Sequence, residues 1–278
     1  MRLLTRRRLL GLFAAGGTAL AYTVFVEPYW IEVVRRPLPI AGLPEGLEGK
    51  TLVQLSDLHA GVRVPDGYLL RAFELVNSLE ADIVTITGDW MSSKGSEEVD
   101  RVRRLISRLE PGRLGTFGIL GNHDYGTGWW VAEAGDKLLA GLRDEGVTML
   151  RHQRADAGGL GIVGLDDLWG PYWSRSKAAQ AIAGPGPALV LCHNPDALDQ
   201  PIWGDYRGWV LSGHTHGGQG KPPFLPPPFI PVKNKRYQRG EVALEDGRRV
   251  YINRALGFIL PLRLNARPEI TVFTLTRA

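Results

Sequence analysis

From Lys50 onward the chain alternates short apolar runs with polar, glycine-rich breaks. Runs of apolar and β-branched residues predict strands at 51–55, 83–87 and 116–120. Pro65-Asp66-Gly67 opens a stretch with Leu69, Phe73, Val76 and Leu79 at helical spacing. Ser96 is a cap for a second helix, with Glu97 and Glu98 in its first turn and Val99, Val102, Leu105, Ile106 and Leu109 on its buried face. A third helix is predicted at about 131–145. After it the runs crowd together, predicting strands at 147–150, 161–165, 188–191, 209–211, 242–244, 250–253 and 270–275. The pattern is that of an α/β domain spanning 50–278, with no internal repeat.

Upstream the pattern changes. Residues 29–49 read as a linker with an edge strand over 31–34, which Pro37, Pro39 and Pro44 then interrupt. Residues 1–28 form a signal or anchor segment: Thr5-Arg6-Arg7-Arg8-Leu9-Leu10 leads into an uncharged stretch from Leu9 to Val26. Its length is at the lower edge for spanning a bilayer. Thr-Arg-Arg-x-Leu-Leu resembles a twin-arginine export signal, although Leu9 and Gly11 depart from the usual pattern. Ala19-Leu20-Ala21 is a candidate cleavage site. This segment predicts a protein of the bacterial cell envelope, anchored in or exported across a membrane, with anchoring on the cytoplasmic face as the alternative.

The leader also explains the charge. The net charge is +4, but four of the 33 basic residues (Arg2, Arg6, Arg7, Arg8) lie in the first 26 with no acid, leaving 29 to balance 29 acidic residues. A neutral domain without a basic stripe argues against a nucleic-acid partner and against a nuclease. The single cysteine, Cys192, excludes an internal disulfide and a thiolate metal cluster and reads as an inert buried thiol.

Candidate chemistry collects at the carboxyl ends of five predicted strands: Asp57 and His59; Asp89; Asn122 and His123; His193; His214 and His216. Ligands bind at that end of open α/β sheets. Five of the six histidines fall there, and His152 reads as a surface or packing residue. In Gly-His-Thr-His, alternate residues of an extended segment face one side, so His214 and His216 are predicted to address one site. Nitrogen and oxygen ligands without sulfur suit two divalent cations such as manganese, iron, zinc or nickel. Two such cations clamp the attacking and leaving oxygens of a phosphoryl displacement and acidify the water that attacks.

Asp-x-His, Gly-Asp, Gly-Asn-His-Asp, a later His and Gly-His-x-His, in this order, resemble the calcineurin-like metallophosphoesterase family from Lys50 to the C-terminus. The resemblance implies a four-layer α/β/β/α sandwich with two mixed sheets. It implies one metal on Asp57, His59 and His216, a second on Asn122, His193 and His214, and Asp89 bridging them, with manganese the expected metal. It further implies that His123 stabilises or protonates the leaving group and that Asp124 orients it. Gly-Gly-Gln after the last histidine and the segments 251–257, 263–265 and 267–270 are similar to a bacterial branch with anchors or twin-arginine leaders, although Ala255 stands where that branch more often has glycine. That branch implies a phosphodiesterase or pyrophosphatase acting on a phosphorylated small-molecule or lipid-linked substrate, with a UDP-2,3-diacylglucosamine pyrophosphatase of lipid A synthesis as one form. A non-catalytic binding domain of the same fold is the contrasting reading, and the complete ligand set with His123 argues against it.

Two further features bear on substrate. The proline-rich stretch from Lys221 to Val232 forms neither helix nor central strand. Its Phe224, Leu225, Phe229 and Ile230 are either packed onto the domain or presented beside the site as a lip, with Lys233, Lys235, Arg236 and Arg239 as a basic collar. Trp129, Trp130, Tyr172 and Trp173 are candidates for an aromatic rim, with core packing as the alternative. Arg254, Arg263 and Arg267 are candidate phosphate binders, or pair internally with Glu269 or a strand end.

Overall fold

The computed structural model describes residues 5–92 and 96–278. Arg2, at the start of the leader, lies outside the described residues. Two six-stranded sheets face each other. In the first, β1 (Glu32–Ile40), β12 (Glu269–Arg277), β2 (Thr51–Leu55), β3 (Ile83–Thr87), β4 (Thr116–Ile119) and β5 (Thr148–Met149) lie side by side. β12 is antiparallel to β2, and the other pairings are parallel. In the second the order is β10 (Gly240–Ala243), β11 (Arg249–Ile252), β9 (Trp209–Ser212), β8 (Ala188–Leu191), β7 (Leu160–Gly164) and β6 (Gln153–Ala157), with the outer pairs antiparallel.

Three apolar layers hold these sheets. Both inner faces meet in one cluster, in which Leu52, Ile83, Phe117 and Phe273 of the first sheet face Ile162, Leu189, Leu211 and Tyr251 of the second. The outer face of the first sheet packs on α2 (Asp66–Asn77), α3 (Ser96–Ile106) and α4 (Ala132–Asp144), using Leu69, Phe73, Val102 and Leu138. The outer face of the second packs on α5 (Arg175–Ile182) through Ala178 and Ile182. The result is the α/β/β/α sandwich of the resemblance. Buried side chains alternate between inner and outer clusters along each strand, as Leu189 and Val190 do, because successive side chains leave opposite faces. This explains why central strands read as unbroken apolar runs.

Some expectations are corrected. The strand predicted at 31–34 runs on to Ile40 through Pro37 and Pro39. It lies at the edge of its sheet, where a missing outward N–H costs nothing. β6, Gln-Arg-Ala-Asp-Ala, and α5 gave no clear apolar signal and were not anticipated: one is an edge strand, and the other buries only Ala178 and Ile182. The N-terminal segment forms α1 (Arg6–Ala21) and then a turn of wider helix at Tyr22–Val26. Among the described residues no helix is long and apolar enough to cross a membrane.

Candidate metal centre

The carboxyl ends of β2, β3, β4, β8 and β9 converge and bring all seven expected ligands together. The chain turns sharply there. Asp57, His59, Asp89, His214 and His216 all adopt left-handed backbone conformations, with φ between 47° and 70°. Such angles in non-glycine residues cost about 1–3 kcal/mol each and persist only where the surroundings enforce them. Here hydrogen bonds between loops do so. Asp57 and His59 donate their N–H groups to the carbonyls of Gly88 and Asp89, both at 2.9 Å, which extends the β2–β3 ladder into the site. The His214 N–H donates to the Asp57 carboxylate at 3.1 Å. Below, the buried Gln54 amide joins the sheets by donating to Thr87 Oγ1 and to the Ser212 carbonyl.

The expectation that His214 and His216 address one site by strand alternation is corrected. β9 ends at Ser212, and the two rings leave a tight turn in different directions. The titratable ligands fall into two groups: Asp57, His59 and His216, and Asp89, His193 and His214, the reactive atoms within each lying inside 4.8 Å. Asn122 joins the second, its Oδ1 being 3.2 Å from His193 Nε2. Asp89 Oδ2 lies between the groups, 3.6 Å from His59 Nε2 and 3.3 Å from His193 Nε2.

Three imidazoles have their protons fixed from outside. His193 Nδ1 faces the Thr87 carbonyl at 2.7 Å, His214 Nε2 the Pro231 carbonyl at 2.9 Å, and His216 Nδ1 the Gln219 Oε1 at 3.1 Å. A carbonyl only accepts, so each of these nitrogens carries a proton and the other ring nitrogen points its lone pair inward. The inward nitrogens are crowded: His214 Nδ1 is 3.2 Å from His193 Nε2, and His216 Nε2 is 3.1 Å from His59 Nε2. Lone pairs facing each other at that distance repel unless a cation or a proton lies between them. The buried residues present therefore fit a pair of divalent cations.

The titration of the groups agrees. Burial, aided by the histidines alongside and opposed by Asp89 and Asp57, pushes His59 and His214 down to about 3, so both are neutral ligands. Burial alone would raise Asp57 and Asp89, but His216 acting on the first and His193 and His123 on the second hold both below the usual carboxylate range. His193 is the exception: burial would lower it, yet the charge of Asp89 draws a proton to it and raises it well above an ordinary histidine. That proton occupies the place a cation takes, since metal binding displaces protons from its ligands.

His123 is half-buried; its N–H donates to Asp89 Oδ1 at 2.9 Å, and its ring lies 5.0 Å from that of His59 and 6.0 Å from that of Trp129. Asp124 accepts from the backbone N–H groups of Trp90, Met91 and Gly121, so it clamps the loop that carries His123 and Asn122. The three candidate phosphate arginines take the internal one of the two roles left open for them. Arg254 pairs with Glu269 and Glu32. Arg263 is fully buried and donates to the carbonyls of Arg254, Ala255, Gly257 and Ala266. Arg267 donates to the carbonyls of Trp30 and Ile31 and lies over the Trp30 ring. His152 is a packing residue, set against Trp173 and accepting from the Ser174 N–H, and Cys192 is buried with its thiol pushed up by burial.

Several site residues went unread in the sequence. Gln219 orients His216. Asp166 and Asp167 end β7 as the other acids end their strands, and the same rule applied to Gly-Leu-Asp-Asp would have found them. Burial lifts Asp167 to about 7, and its Oδ1 accepts the N–H of Trp169. Trp169 stacks on Trp129 at 5.0 Å and meets the His214 ring edge-on at 4.6 Å. Of the proposed aromatic rim, Trp129 adjoins the site, Trp130 is exposed to its side, and Tyr172 and Trp173 pack on Arg151 and His152. The proline-rich stretch is corrected from an open choice to a divided one: Ile230 is buried, whereas Phe224, Leu225 and Phe229 face outward.

Comparison with known proteins agrees with this geometry. Residues 50–218 match the calcineurin-like phosphoesterase family. The chain is 32% identical to the phosphodiesterase YaeI of Escherichia coli, over 98% of this chain and 100% of that one. It is 31% identical to the uncharacterized metallophosphoesterase YkuE of Bacillus subtilis, over 99% of each. It is 28% identical to the UDP-2,3-diacylglucosamine pyrophosphatase LpxG of Chlamydia trachomatis, over 88% of this chain and 89% of that one.

Proposed function

We propose that this chain, which belongs to the calcineurin-like phosphoesterase family and is a hydrolase, cleaves phosphoester or pyrophosphate bonds with two bound divalent cations. The observation that carries the reading is Asp89 Oδ2, within 3.6 Å of ring nitrogens belonging to both ligand groups. Asp57, His59 and His216 would hold one cation, Asn122, His193 and His214 the other, and Asp89 both. The cations, manganese in our reading, would supply Lewis-acid charge to the phosphoryl oxygens and lower the pKa of water. The remaining work falls to the chain. Thr87, Pro231 and Gln219 fix the imidazole protons outward. Asp124 holds the Asn122–His123 turn. His123, beside His59, gives a proton to the departing oxygen. The stacked Trp129 and Trp169 border the site beside His123 and His214.

The substrate in this reading is a phosphorylated molecule of the cell envelope, reached by a protein tethered or exported through its N-terminal segment. A UDP-acyl-sugar pyrophosphate is the second reading, and the outward-facing Phe224, Leu225 and Phe229 on the loop that follows His216 favour it. The test is hydrolysis by the purified, manganese-loaded protein of bis-p-nitrophenyl phosphate, p-nitrophenyl phosphate and a UDP-diacylglucosamine. Turnover of the diester above the monoester is the expected result. A UDP-lipid turned over far faster than both would select the second reading. No hydrolysis by protein that retains two metals would refute the proposal.

A further inference from the structure

The outward-facing apolar side chains are not scattered. Phe224, Leu225 and Phe229 stand on the proline-rich loop; Ile259, Leu260 and Leu262 on the loop before Arg263; and Phe25, Val26 and Trp30 where the N-terminal helical segment ends. Hydrogen bonds lace these three segments together. Lys221 donates its N–H to the Leu264 carbonyl, Leu264 its N–H to the Gln219 carbonyl, and the Gln219 amide donates to Leu260. The Arg263 N–H donates to Thr23 at 2.9 Å, and the Ala266 N–H to the Glu27 carboxylate at 2.7 Å. A fourth loop joins through Arg63, which donates to the Ile259 carbonyl at 2.6 Å and carries the exposed Val62 beside it. Gln219, which orients His216, is part of this lacing, and His59 precedes Val62 by three residues. The apolar rim therefore borders the metal centre on the His59–His216 side.

An apolar patch built this way is not a folding accident. Phe224 is fully exposed and Phe25 and Phe229 are 74% exposed, although each loop has inward anchors in Ile230, Phe258 and Arg263. The charge these segments present is basic. The segments 20–31, 59–64, 217–235 and 256–268 present Arg63, Lys221, Lys233, Lys235 and Arg267, whereas Arg263 and the single acid, Glu27, are buried; Glu32, which follows the first of them, is paired with Arg254. Exposed aromatic and aliphatic tips among basic groups, with no exposed acid, match the interfacial zone of an anionic bilayer. The chain itself indicates that occupant: the uncharged stretch from Leu9 to Val26 runs straight into this rim and carries Arg6, Arg7 and Arg8 at its far end.

We propose that this rim is a docking surface for an anionic lipid bilayer, with the N-terminal segment as its tether. Phe224, Phe229, Leu260 and Phe25 would enter the headgroup–acyl boundary and set the mouth of the metal centre at headgroup level. The substrate it selects is then a phosphoester or pyrophosphate carried on a lipid. This deepens the hydrolase reading and rests on it only for that last step.

The test uses the full-length chain, whose only cysteine, Cys192, is buried and leaves an introduced thiol to react alone. Nitroxide labels go on Phe224→Cys and Leu260→Cys, with Glu245→Cys, in the exposed turn between β10 and β11, as the control. Vesicles of equal phosphatidylglycerol and phosphatidylcholine are added, and collision with oxygen is compared with collision with a water-soluble nickel chelate. The expected result is that labels at 224 and 260 favour oxygen on vesicles while 245 favours the nickel chelate. Vesicle-bound protein whose labels at 224 and 260 stay as water-exposed as that at 245 would overturn the proposal, because the tether alone would then be binding. A second measurement uses Phe224→Asp/Phe229→Asp. Each phenyl ring buried is worth roughly a tenfold factor in partitioning, so vesicle affinity should fall by about a hundredfold. Turnover of soluble bis-p-nitrophenyl phosphate should stay within about twofold, which also reports correct folding; unchanged vesicle affinity would likewise overturn the proposal. Because label depth is read without turnover, a failed hydrolase reading and a failed docking surface give different results.

Discussion

Gly121 gives the sharpest test of how closely the metal centre is built. Its φ of −106° is open to any residue, so Gly121→Ala adds a methyl group and imposes no backbone strain. That methyl would lie 2.6 Å from the Asp89 N and 2.8 Å from His193 Cε1, and nearest of all to the Asp89 carboxylate. Ordinary contact begins near 3.4 Å, so the His193 ring must retreat by about 0.6 Å and the carboxylate by more. Ligand distances tolerate shifts of only about 0.2 Å, so the bridging carboxylate and one ring both leave their positions. We expect metal affinity to fall by at least about 10–100-fold and turnover by about a hundredfold. Crowding a packed site should also lower stability by about 1–3 kcal/mol. Calorimetric titration of the metal-free protein with manganese, thermal melting and the rate of bis-p-nitrophenyl phosphate hydrolysis read the three in turn, with Gly46→Ala as the control because nothing lies within 4 Å of its added methyl. Two cations bound at wild-type affinity by Gly121→Ala would refute the placement of Asp89 and His193 around a cation.

Other predictions follow from the roles assigned above. His123→Ala should retain both cations yet lose about 10²–10⁴-fold in turnover, whereas Asp89→Asn should weaken both metals; loss of metal from His123→Ala, measured by elemental analysis, would contradict the assignment. In the metal-free protein, the raised His193 adds stability that is complete below the ordinary histidine pKa and is lost as pH rises through its higher folded value. A cation needs the deprotonated ring, so manganese should raise the melting temperature more at pH 8 than at pH 5.5; an equal rise at both would contradict this. Arg263→Met should lower stability by about 3 kcal/mol, because four backbone carbonyls lose their donor, while KM for a soluble ester stays the same. A raised KM without loss of stability would return Arg263 to the substrate.

The ligands were legible because acids, an amide and histidines interrupt apolar runs that end at a common edge of the fold. Geometry was not. Nothing in Gly-His-Thr-His announces that both histidines take left-handed angles, and only the family resemblance, not strand alternation, assigns them to different groups. That outcome depends on Asp57, 157 residues away, accepting the His214 N–H. Asp166 and Asp167 were legible and passed over, since the strand before them is short and the acids stand without a histidine. The role of the arginines stayed open because a guanidinium satisfies buried carbonyls as well as it does phosphate, and sequence does not say which it meets. β6 and α5 carry too few apolar residues to show a period.

The two prolines of β1 have a consequence beyond their own strand. A sheet edge offers a row of unpaired donors and acceptors on which another polypeptide can grow, the seed of fibrous self-association. β1 is such an edge, nine residues long and paired with β12 along its whole length. Pro37 and Pro39 stand two apart and so remove adjacent donors on the same, outward side, and the charges of Arg35 and Arg36 guard what remains. Pro37→Val/Pro39→Val would leave the fold intact and restore a continuous template. The irregularity that hid this strand in the sequence thus keeps neighbouring molecules from zipping onto one another.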